Sequence, residues 1–150
     1  MSLTDVELQH LADQYHVKLN GIYCKDEIPH TLHDGWYIIN MQNAADGNGT
    51  HWECMKWDHN KPCVYMDSFG FLPSTEIIAC FPHGYIYNQQ QIQDIDSNNC
   101  GLYCIATMVF WKSVAKQGIS DTSIMKSYQS MFSSHTKLNG IVLKQYLHEM

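Results

Sequence analysis

A long apolar segment in the second half of the chain constrains the fold most. In residues 102–111 only Thr107 is clearly polar, and a helix that is apolar on nearly all sides is normally buried. The residues just before it all belong to types that favour the N-cap of a helix, namely Asp96, Ser97, Asn98 and Asn99. The sequence therefore predicts a buried helix that begins at or beside Cys100.

Cys100 lies at the predicted start of this helix. There the unpaired backbone N–H groups and the positive end of the helix dipole favour an anion, so the nucleophilic thiolate form is favoured. Gly101 adds no side-chain bulk beside the sulfur. The alternative is a buried cysteine without chemical function, because free cysteine is among the most buried residue types. Cys100 alone does not decide between these interpretations.

Length and composition indicate a globular chain. With 150 residues, 45% hydrophobic and 16% charged, we expect one domain, residues 1–150, with a substantial core. No apolar run approaches 18 residues, so we expect no membrane partner. The net charge of -6 and the lack of a basic block make nucleic acid an unexpected partner.

The cysteine pattern indicates free thiols. The chain has six cysteines, and its first residues lack the basic and apolar segments of a signal peptide, so we expect a reducing, intracellular compartment. There is no Cys-x2-Cys pair among them, and the His and Cys spacings do not form a paired zinc-ligand frame. We expect no metal and no cofactor.

The pattern of predicted elements is that of an α+β protein. Thr4 and Glu7 fit a capping box at the start of a first helix, which Asn20-Gly21 is expected to follow, with a loop after it. The other expected elements are strands at 35–41, 51–57, 63–67 and 85–93, a short helix within 74–82, a helix from Ser120, and a last helix after Asn139-Gly140. Gly118 is expected to be the C-cap of the central helix.

The strands at 51–57 and 63–67 read as a hairpin with a testable register. If the turn is centred on Asn60, Glu53 lies opposite Asp67, and odd-numbered residues share one face. His51 and Asp67 are then diagonal neighbours, close enough for their side chains to meet. A register slip of one residue would separate them. The alternative for Asp67 is a turn residue at the end of its strand.

The same residues carry a resemblance to a known family. His51-Trp52, the run 65–71 around Asp67-Ser68, and Gln93 seven residues before Cys100-Gly101 resemble the adenovirus protease (adenain) group. Proteases of Maverick/Polinton elements and the ubiquitin-like-protein-specific proteases show a similar pattern. The likeness extends in the same order over about the first 110 residues, including 21–23 and 56–57.

The resemblance implies a papain-like, adenain-type cysteine protease fold. It consists of a central, mainly antiparallel sheet flanked by helices, with the nucleophile at the N-terminus of a buried helix. Cys100 would be that nucleophile, His51 its base and later the acid for the leaving amine, and Asp67 the group that orients the imidazole.

Two further roles follow from the resemblance. Gln93 would donate a side-chain N–H to the oxyanion, beside the backbone N–H of Cys100. Gln91 is the rival for this role, because both lie in the same glutamine run and would face the same side of a strand. Trp52 would pack over the histidine and shape the substrate groove.

The implied function is that of a cysteine endopeptidase cutting protein substrates at Gly-rich sites. Maturation of viral or transposon capsid precursors is expected, by a monomer in the host cytoplasm or nucleus and in the virion. The adenoviral enzymes carry Glu at the position of Asp67, and Cys80 does not match their peptide-binding cysteine, so activation by peptide or DNA is not carried over. The alternatives are a deconjugase of ubiquitin-like modifiers and a non-catalytic binding or metal-binding module.

Overall fold

The structure, a computed structural model, describes residues 3–46, 51–115 and 118–149. The α-helices are α1 Asp5–Gln14, α2 Thr75–Ile78, α3 Cys100–Val114, α4 Asp121–Ser130 and α5 Asn139–His148. The strands are β1 Leu19–Cys24, β2 Gly35–Asn40, β3 Trp52–Trp57, β4 Cys63–Met66 and β5 Tyr85–Tyr87. The expected α+β class is confirmed. The loop expected at 43–50 is described only to residue 46.

The five strands form one mixed sheet in the order β1-β2-β3-β4-β5. The central pairs β2–β3 and β3–β4 are antiparallel, whereas β1–β2 and β4–β5 are parallel. The expectation of a mainly antiparallel sheet is therefore wrong at both edges. Parallel neighbours cannot be joined by a tight turn, so these pairings depend on longer connections that carry no hairpin signal.

Strand β1 was not expected from the sequence. Asn20-Gly21, interpreted as a helix-terminating signal, lies inside β1, and the register shifts between Leu19 and Gly21. All six residues of β1 are half-buried, so burial does not alternate between the two faces of this strand. Its strand conformation is instead stabilised by pairing with β2.

The hairpin of β3 and β4 has the expected register. Cys54 pairs with Met66, Met55 with Tyr65 and Lys56 with Val64, which centres the turn on Asn60. The Asp58 carboxylate shapes this turn by accepting the backbone N–H groups of Asn60 and Lys61 at 2.8 and 2.9 Å. The odd-numbered residues of both strands therefore share a face, as predicted.

Each face of the sheet carries its own apolar core. The even-numbered face packs against α3, most of whose residues are buried, and the predicted central helix is confirmed. The odd-numbered face is covered by a smaller cluster that includes Tyr37, Met55, Tyr65 and Ile77. No helix within the described ranges is long and apolar enough to cross a membrane.

Helix α1 begins as its sequence predicts. The Thr4 hydroxyl accepts the Glu7 N–H, and the Glu7 carboxylate accepts the Thr4 N–H, so the capping box is complete. Leu3 and Leu8 lie over Gly101, where an added Cβ would come within 2.9 Å of Leu8 and 3.1 Å of Leu3. Gly101 thus allows α1 to pack close to the start of α3.

Several expected boundaries differ from the structure. The strand expected at 85–93 ends at Tyr87, because the following backbone turns to donate two N–H groups, those of Ile92 and Gln93, to the Ser68 carbonyl. The last helix begins at Asn139, whose side chain binds Ser133 and Ile92 backbone atoms. The C-cap of helix α3 is Ala115 and not Gly118, which has φ 66°. Residues 116–117 lie outside the described ranges. The short helix α2 is confirmed.

Candidate active site

His51 and Asp67 meet where β3 begins and β4 ends. The ring Nε2 of His51 donates to Asp67 Oδ1 at 2.8 Å, and their side chains are only 16% and 1% exposed. Their common face follows from the hairpin register, in which residues with odd numbers point the same way. The predicted contact between these two side chains is confirmed.

The Asp67 carboxylate is held in place by its own turn and by a neighbouring loop. Its Oδ1 also accepts the Phe69 backbone N–H at 2.8 Å. The Asn88 side chain binds the Asp67 backbone on both sides, accepting its N–H at 2.9 Å and donating to its carbonyl. Asp67 is thus a turn residue as well as the partner of His51, so both interpretations of the sequence describe it.

Gly70 lets this turn approach the glutamine run. It adopts φ +80°, which side chains disfavour, and a Cβ there would come within 3.0 Å of the Gln91 backbone nitrogen and 3.1 Å of the Gln90 carbonyl carbon. Gly70 also closes the turn by donating its N–H to the Asp67 carbonyl at 2.8 Å. A larger residue would move Asp67 and therefore His51.

Phe69, not Trp52, covers the His51 ring. The two rings stack with centroids 4.7 Å apart and an interplanar angle of 26°. Trp52 points to the opposite face, because successive strand residues alternate. It is 6% exposed, and its indole N–H donates to the Leu3 carbonyl at 2.9 Å. The expectation that Trp52 packs over the histidine is wrong, and its burial leaves little surface for a substrate.

Cys100 is the first residue of α3, as predicted, and is 2% exposed. Its Sγ accepts the backbone N–H of Trp52 at 3.4 Å, which places the sulfur beside the start of β3. Asn99 is the N-cap residue, and its side chain makes no capping hydrogen bond. The sulfur therefore lies at the N-terminal end of α3, within reach of a backbone N–H donor from β3.

The second nitrogen of the His51 ring, Nδ1, is buried and has no hydrogen-bond partner within the described part of the chain. Burial lowers the pKa of His51, but the hydrogen bond to Asp67, the interaction with Cys100, and the charges of Asp67 and Glu53 outweigh it and raise this pKa to about 10. The imidazolium form is therefore favoured between the carboxylate and the sulfur.

Gln93 is fully buried and belongs to a polar network between the two site loops. Its Oε1 accepts the Ser68 hydroxyl, and its Nε2 donates to the carbonyl and the hydroxyl of Ser97 at 3.1 and 3.0 Å. Gln91 is exposed, and its amide donates to the Gln93 carbonyl at 2.9 Å. The network connects Ser68, the residue after Asp67, to the loop that precedes Cys100.

Glu53 is a member of the site that sequence reasoning placed opposite Asp67 without giving it a role. It is 0% exposed, and neither carboxylate oxygen has a hydrogen-bond partner among the described residues. Burial and the charge of Asp67 raise its pKa well above the usual range for a glutamate. The signal available in the sequence was an acidic residue between the apolar residues Trp52 and Cys54 near the start of a predicted strand.

The site also contains a possible set of metal ligands. One ligand atom each from His51, Glu53 and Asp67 lie within 4.8 Å of one another. Two further groups with this property occur in the described ranges, and their members are mostly exposed or half-buried. The donor set at the site, two carboxylates and an imidazole, is compatible with zinc, although the imidazole nitrogen is already bonded to Asp67.

A large cleft lies away from these residues. It has a volume of about 970 Å³ and is lined by residues such as Trp36, Lys56 and Trp111, near the end of β3 and the C-terminal half of α3. The candidate site lies at the start of both elements. The cleft is therefore not the binding site for a group that reacts at Cys100.

Comparison with known proteins assigns no family. No protein-family model matches the chain, and no curated protein matches it. The interpretation therefore depends on the site itself, in which an imidazole bonded to a carboxylate lies at the start of β3 and a thiol accepts the backbone N–H of the next residue.

Proposed function

We propose that this chain is a cysteine endopeptidase with Cys100 as nucleophile. The observation that supports this most is the position of His51, whose Nε2 is bound to Asp67 at 2.8 Å, whose Nδ1 is buried without a partner among the described residues, and whose pKa is affected by Cys100. A looser Cys–His contact is common before substrate binds. Together with the mixed sheet and the helix that starts at Cys100, this supports the finer assignment to a papain-like, adenain-type fold.

The proposed reaction is described by following the proton that passes from Cys100 to His51. His51 holds the proton from Cys100, and the thiolate attacks the scissile carbonyl carbon, forming a C–S bond and a tetrahedral oxyanion. The oxyanion collapses, the C–N bond breaks, and the amine leaves with the proton from His51. Water then attacks the thioester while His51 accepts one of its protons. This second tetrahedral intermediate collapses, the C–S bond breaks, and the acid leaves with the hydroxyl from water, which restores the Cys100 thiolate beside protonated His51.

Gln93 is the proposed side-chain donor to the oxyanion, beside the backbone N–H of Cys100. Its two amide hydrogens are directed at Ser97, so donation to the oxyanion requires it to give up one of these bonds. The Ser68 hydroxyl on the opposite side fixes which end of the amide faces Ser97. Gln91 is the weaker candidate, because it is exposed and bonds to the Gln93 backbone.

The surroundings of the site support a polypeptide substrate. Phe71, Leu72 and Ile95 are 61%, 60% and 65% exposed and belong to the two loops that join through Ser68 and Gln93. Exposed apolar side chains next to a reactive group are typical of binding surfaces. Cleavage at Gly-rich sites and a role in maturing viral or transposon capsid precursors rest on the residue resemblance.

The test is covalent labelling at a defined residue. The protein is incubated with a peptide chloromethyl ketone that ends in Gly-Gly, and the modified residue is mapped by mass spectrometry. Labelling of Cys100 that is blocked by a competing Gly-Gly peptide supports the proposal. Cys80 is the internal control, because it is half-buried and outside the site. If the peptide reagent labels Cys80 as readily as Cys100, just as iodoacetamide does, the proposal is contradicted.

A second reagent separates the endopeptidase from the deconjugase. A ubiquitin-like modifier with a C-terminal electrophile is offered in parallel with Gly-rich precursor peptides. Cleavage of the peptides without capture of the modifier supports the endopeptidase. Capture of the modifier without peptide cleavage would replace the endopeptidase assignment with the deconjugase. If neither reaction occurs although the protein is folded, a non-catalytic binding module is favoured.

A further inference from the structure

The large cleft at the end of β3 plays no part in the proposed reaction. Its volume of about 970 Å³ lies at the upper end of the range for small-molecule sites, about 300–1,000 Å³. Residues of β1, β2, β3 and β5 line it together with residues of α3 and of the segment that leads into α4. The size of the cleft is therefore that of a site for a small organic molecule.

The lining of the cleft includes buried apolar and aromatic side chains. Met108, Trp111 and Ile124 belong to the core and also line the cleft. Trp36, which is half-buried, meets Trp111 edge to face, with ring centroids 5.7 Å apart and an interplanar angle of 76°. The Trp111 indole N–H is already donated to Asp121 at 2.9 Å, so this ring offers apolar surface to a ligand. Such ring surfaces favour a flat aromatic group.

Lysine side chains are concentrated around the same cleft, in a chain whose net charge is -6. It is lined by four of the nine lysine and arginine residues, namely Lys18, Lys56, Lys61 and Lys112. Two of the fifteen aspartate and glutamate residues are found among its described lining residues, namely Asp34 and Asp121. The cleft is thus locally positive on a protein that is negative as a whole, which favours an anionic ligand there.

Both acidic residues of the cleft already have partners. Asp121 accepts the Lys56 ammonium group at 3.2 Å in addition to the Trp111 indole. The Asp34 carboxylate is bonded to the His59 ring at 2.9 Å. These contacts use the two carboxylates and one of the four lysines, so the other three lysines determine the charge that a ligand meets.

The other three lysines are available to an anion. Lys18, Lys61 and Lys112 are exposed, and none of them forms an ion pair within the described part of the chain. Lys112 donates to the His16 carbonyl, which positions its ammonium group without neutralising it. Helix α4 also begins at the cleft, and the first backbone N–H groups of a helix have no acceptor inside it and favour an anion.

We propose that this cleft binds a small organic anion with a flat aromatic body, of the class of a nucleotide or of an aromatic sulfonate or carboxylate. The body packs against Trp36 and Trp111, and Lys18, Lys61 and Lys112 hold the anionic group. Trp111 lies three turns of α3 after Cys100, about 16 Å along the helix axis. The site is therefore separate from the proposed nucleophile, and it does not depend on the proposed function.

Binding is measured by calorimetric titration with 8-anilinonaphthalene-1-sulfonate, which joins an aromatic body to one negative charge. We expect one molecule to bind per chain, and N-phenyl-1-naphthylamine, which lacks the sulfonate, to bind about tenfold more weakly or less. Cys100→Ala should bind the sulfonate as wild type does. No binding, several molecules per chain, equal binding of the uncharged compound, or loss of binding in Cys100→Ala would overturn the proposal.

Two double variants with the same change in net charge test the role of the lysines. Lys18→Gln with Lys61→Gln should weaken sulfonate binding about tenfold, as for the loss of two exposed charge contacts. The control is Lys126→Gln with Lys144→Gln, on exposed lysines of α4 and α5 that do not line the cleft. Its affinity should stay within about twofold of wild type. Equal weakening in both would show that only overall charge attracts the probe, and would overturn the proposal.

A second matched pair tests the location without changing a buried residue. Ile119 is exposed and lines the cleft, whereas Ile141 is exposed on α5 and does not. Ile119→Asp puts a negative charge into the cleft and should weaken sulfonate binding about tenfold, while Ile141→Asp should bind as wild type does. Circular dichroism checks that both are folded. Unchanged binding in Ile119→Asp would place the probe elsewhere and overturn the proposal.

Competition separates the two sources of such an anion. Displacement of the sulfonate by ATP and not by pyrophosphate supports a nucleotide as the ligand. Binding of the sulfonate that ATP does not displace supports an aromatic anion other than a nucleotide. Displacement by pyrophosphate as effective as that by ATP would overturn the proposal, because charge alone would then account for binding.

Discussion

Two His–Asp pairs among the described residues have nearly the same bond length and very different surroundings. His51 bonds to Asp67 at 2.8 Å with 16% and 1% of the side chains exposed. His59 bonds to Asp34 at 2.9 Å with 71% and 51% exposed. The second pair lies at the hairpin turn, where the His59 backbone N–H also donates to Asp34 and Asp58 is the third nearby group.

The comparison shows that bond length alone does not make a catalytic pair. Water and salt screen the exposed pair, and such pairs typically contribute less than about 1 kcal/mol. The buried pair is much less screened, and Cys100 is among the groups that raise the pKa of His51. Exclusion of water and the adjacent sulfur are therefore what separate the candidate site from an ordinary surface contact.

The largest expected effect concerns Cys100, whose sulfur lies near the buried pair and not near the exposed one. Cys100→Ala should lower peptide cleavage by about four orders of magnitude or more, as removal of a nucleophile does elsewhere. The matched control is Cys80→Ala, which should retain wild-type cleavage. Turnover is followed with a fluorogenic Gly-rich peptide, and the fold by circular dichroism. Wild-type activity in Cys100→Ala would show that another group is the nucleophile.

The next effect compares the two carboxylates. Asp67→Asn removes the charge that stabilises the His51 imidazolium while keeping an oxygen that can accept its N–H. Loss of a charge-assisted hydrogen bond corresponds to about 10- to 100-fold in kcat. Asp34→Asn should leave kcat unchanged. If both variants lose activity equally, the buried pair has no special role in turnover.

A smaller effect compares the two imidazoles through the reactivity of Cys100. His51→Ala should slow alkylation of Cys100 by iodoacetamide near neutral pH about tenfold, because an unassisted thiol is only a few per cent thiolate at that pH. His59→Ala should alkylate at the wild-type rate. Site-resolved mass spectrometry after timed quenching measures both. Identical rates in the three proteins would contradict an ion pair between His51 and Cys100.

The smallest effect is on stability as a function of pH. The pKa of His51 is raised to about 10 in the fold from about 6.5 in an unfolded chain. Its stabilising contribution is thus full below about pH 6.5 and is lost as pH rises toward 10. The free energy of unfolding of wild type should exceed that of His51→Gln at pH 6 by more than at pH 10, measured with urea. His59→Gln should differ from wild type by less than about 1 kcal/mol at either pH. An unchanged His51→Gln difference across this range would mean that the ring is neutral in the fold.

Features that depend on neighbours in sequence were predictable. The capping box at Thr4, the start of α3 at Cys100 and the register of the β3–β4 hairpin each involve residues a short distance apart in the chain. The hairpin register was enough to bring His51 and Asp67 to one face. Local hydrogen bonding and the two-residue period of a strand determine all of these.

Features that depend on contacts between distant segments were not predictable from the sequence. The parallel pairing of β1 with β2, the network of Gln93, and the choice of Phe69 rather than Trp52 as the cover of His51 each needed contacts between separate segments. The sequence also placed Glu53 opposite Asp67 but did not show that both would be dry.

The amino-acid sequence by itself determined which residues could do chemistry and on which side of a hairpin they lie. The tertiary structure alone decided their environment: which pair is shielded from water, which ring covers the imidazole, and which carboxyl is buried without a hydrogen-bond partner among the described residues. The reason is physical, because burial, and with it the local dielectric and the protonation of each group, is set by segments packed together from across the chain.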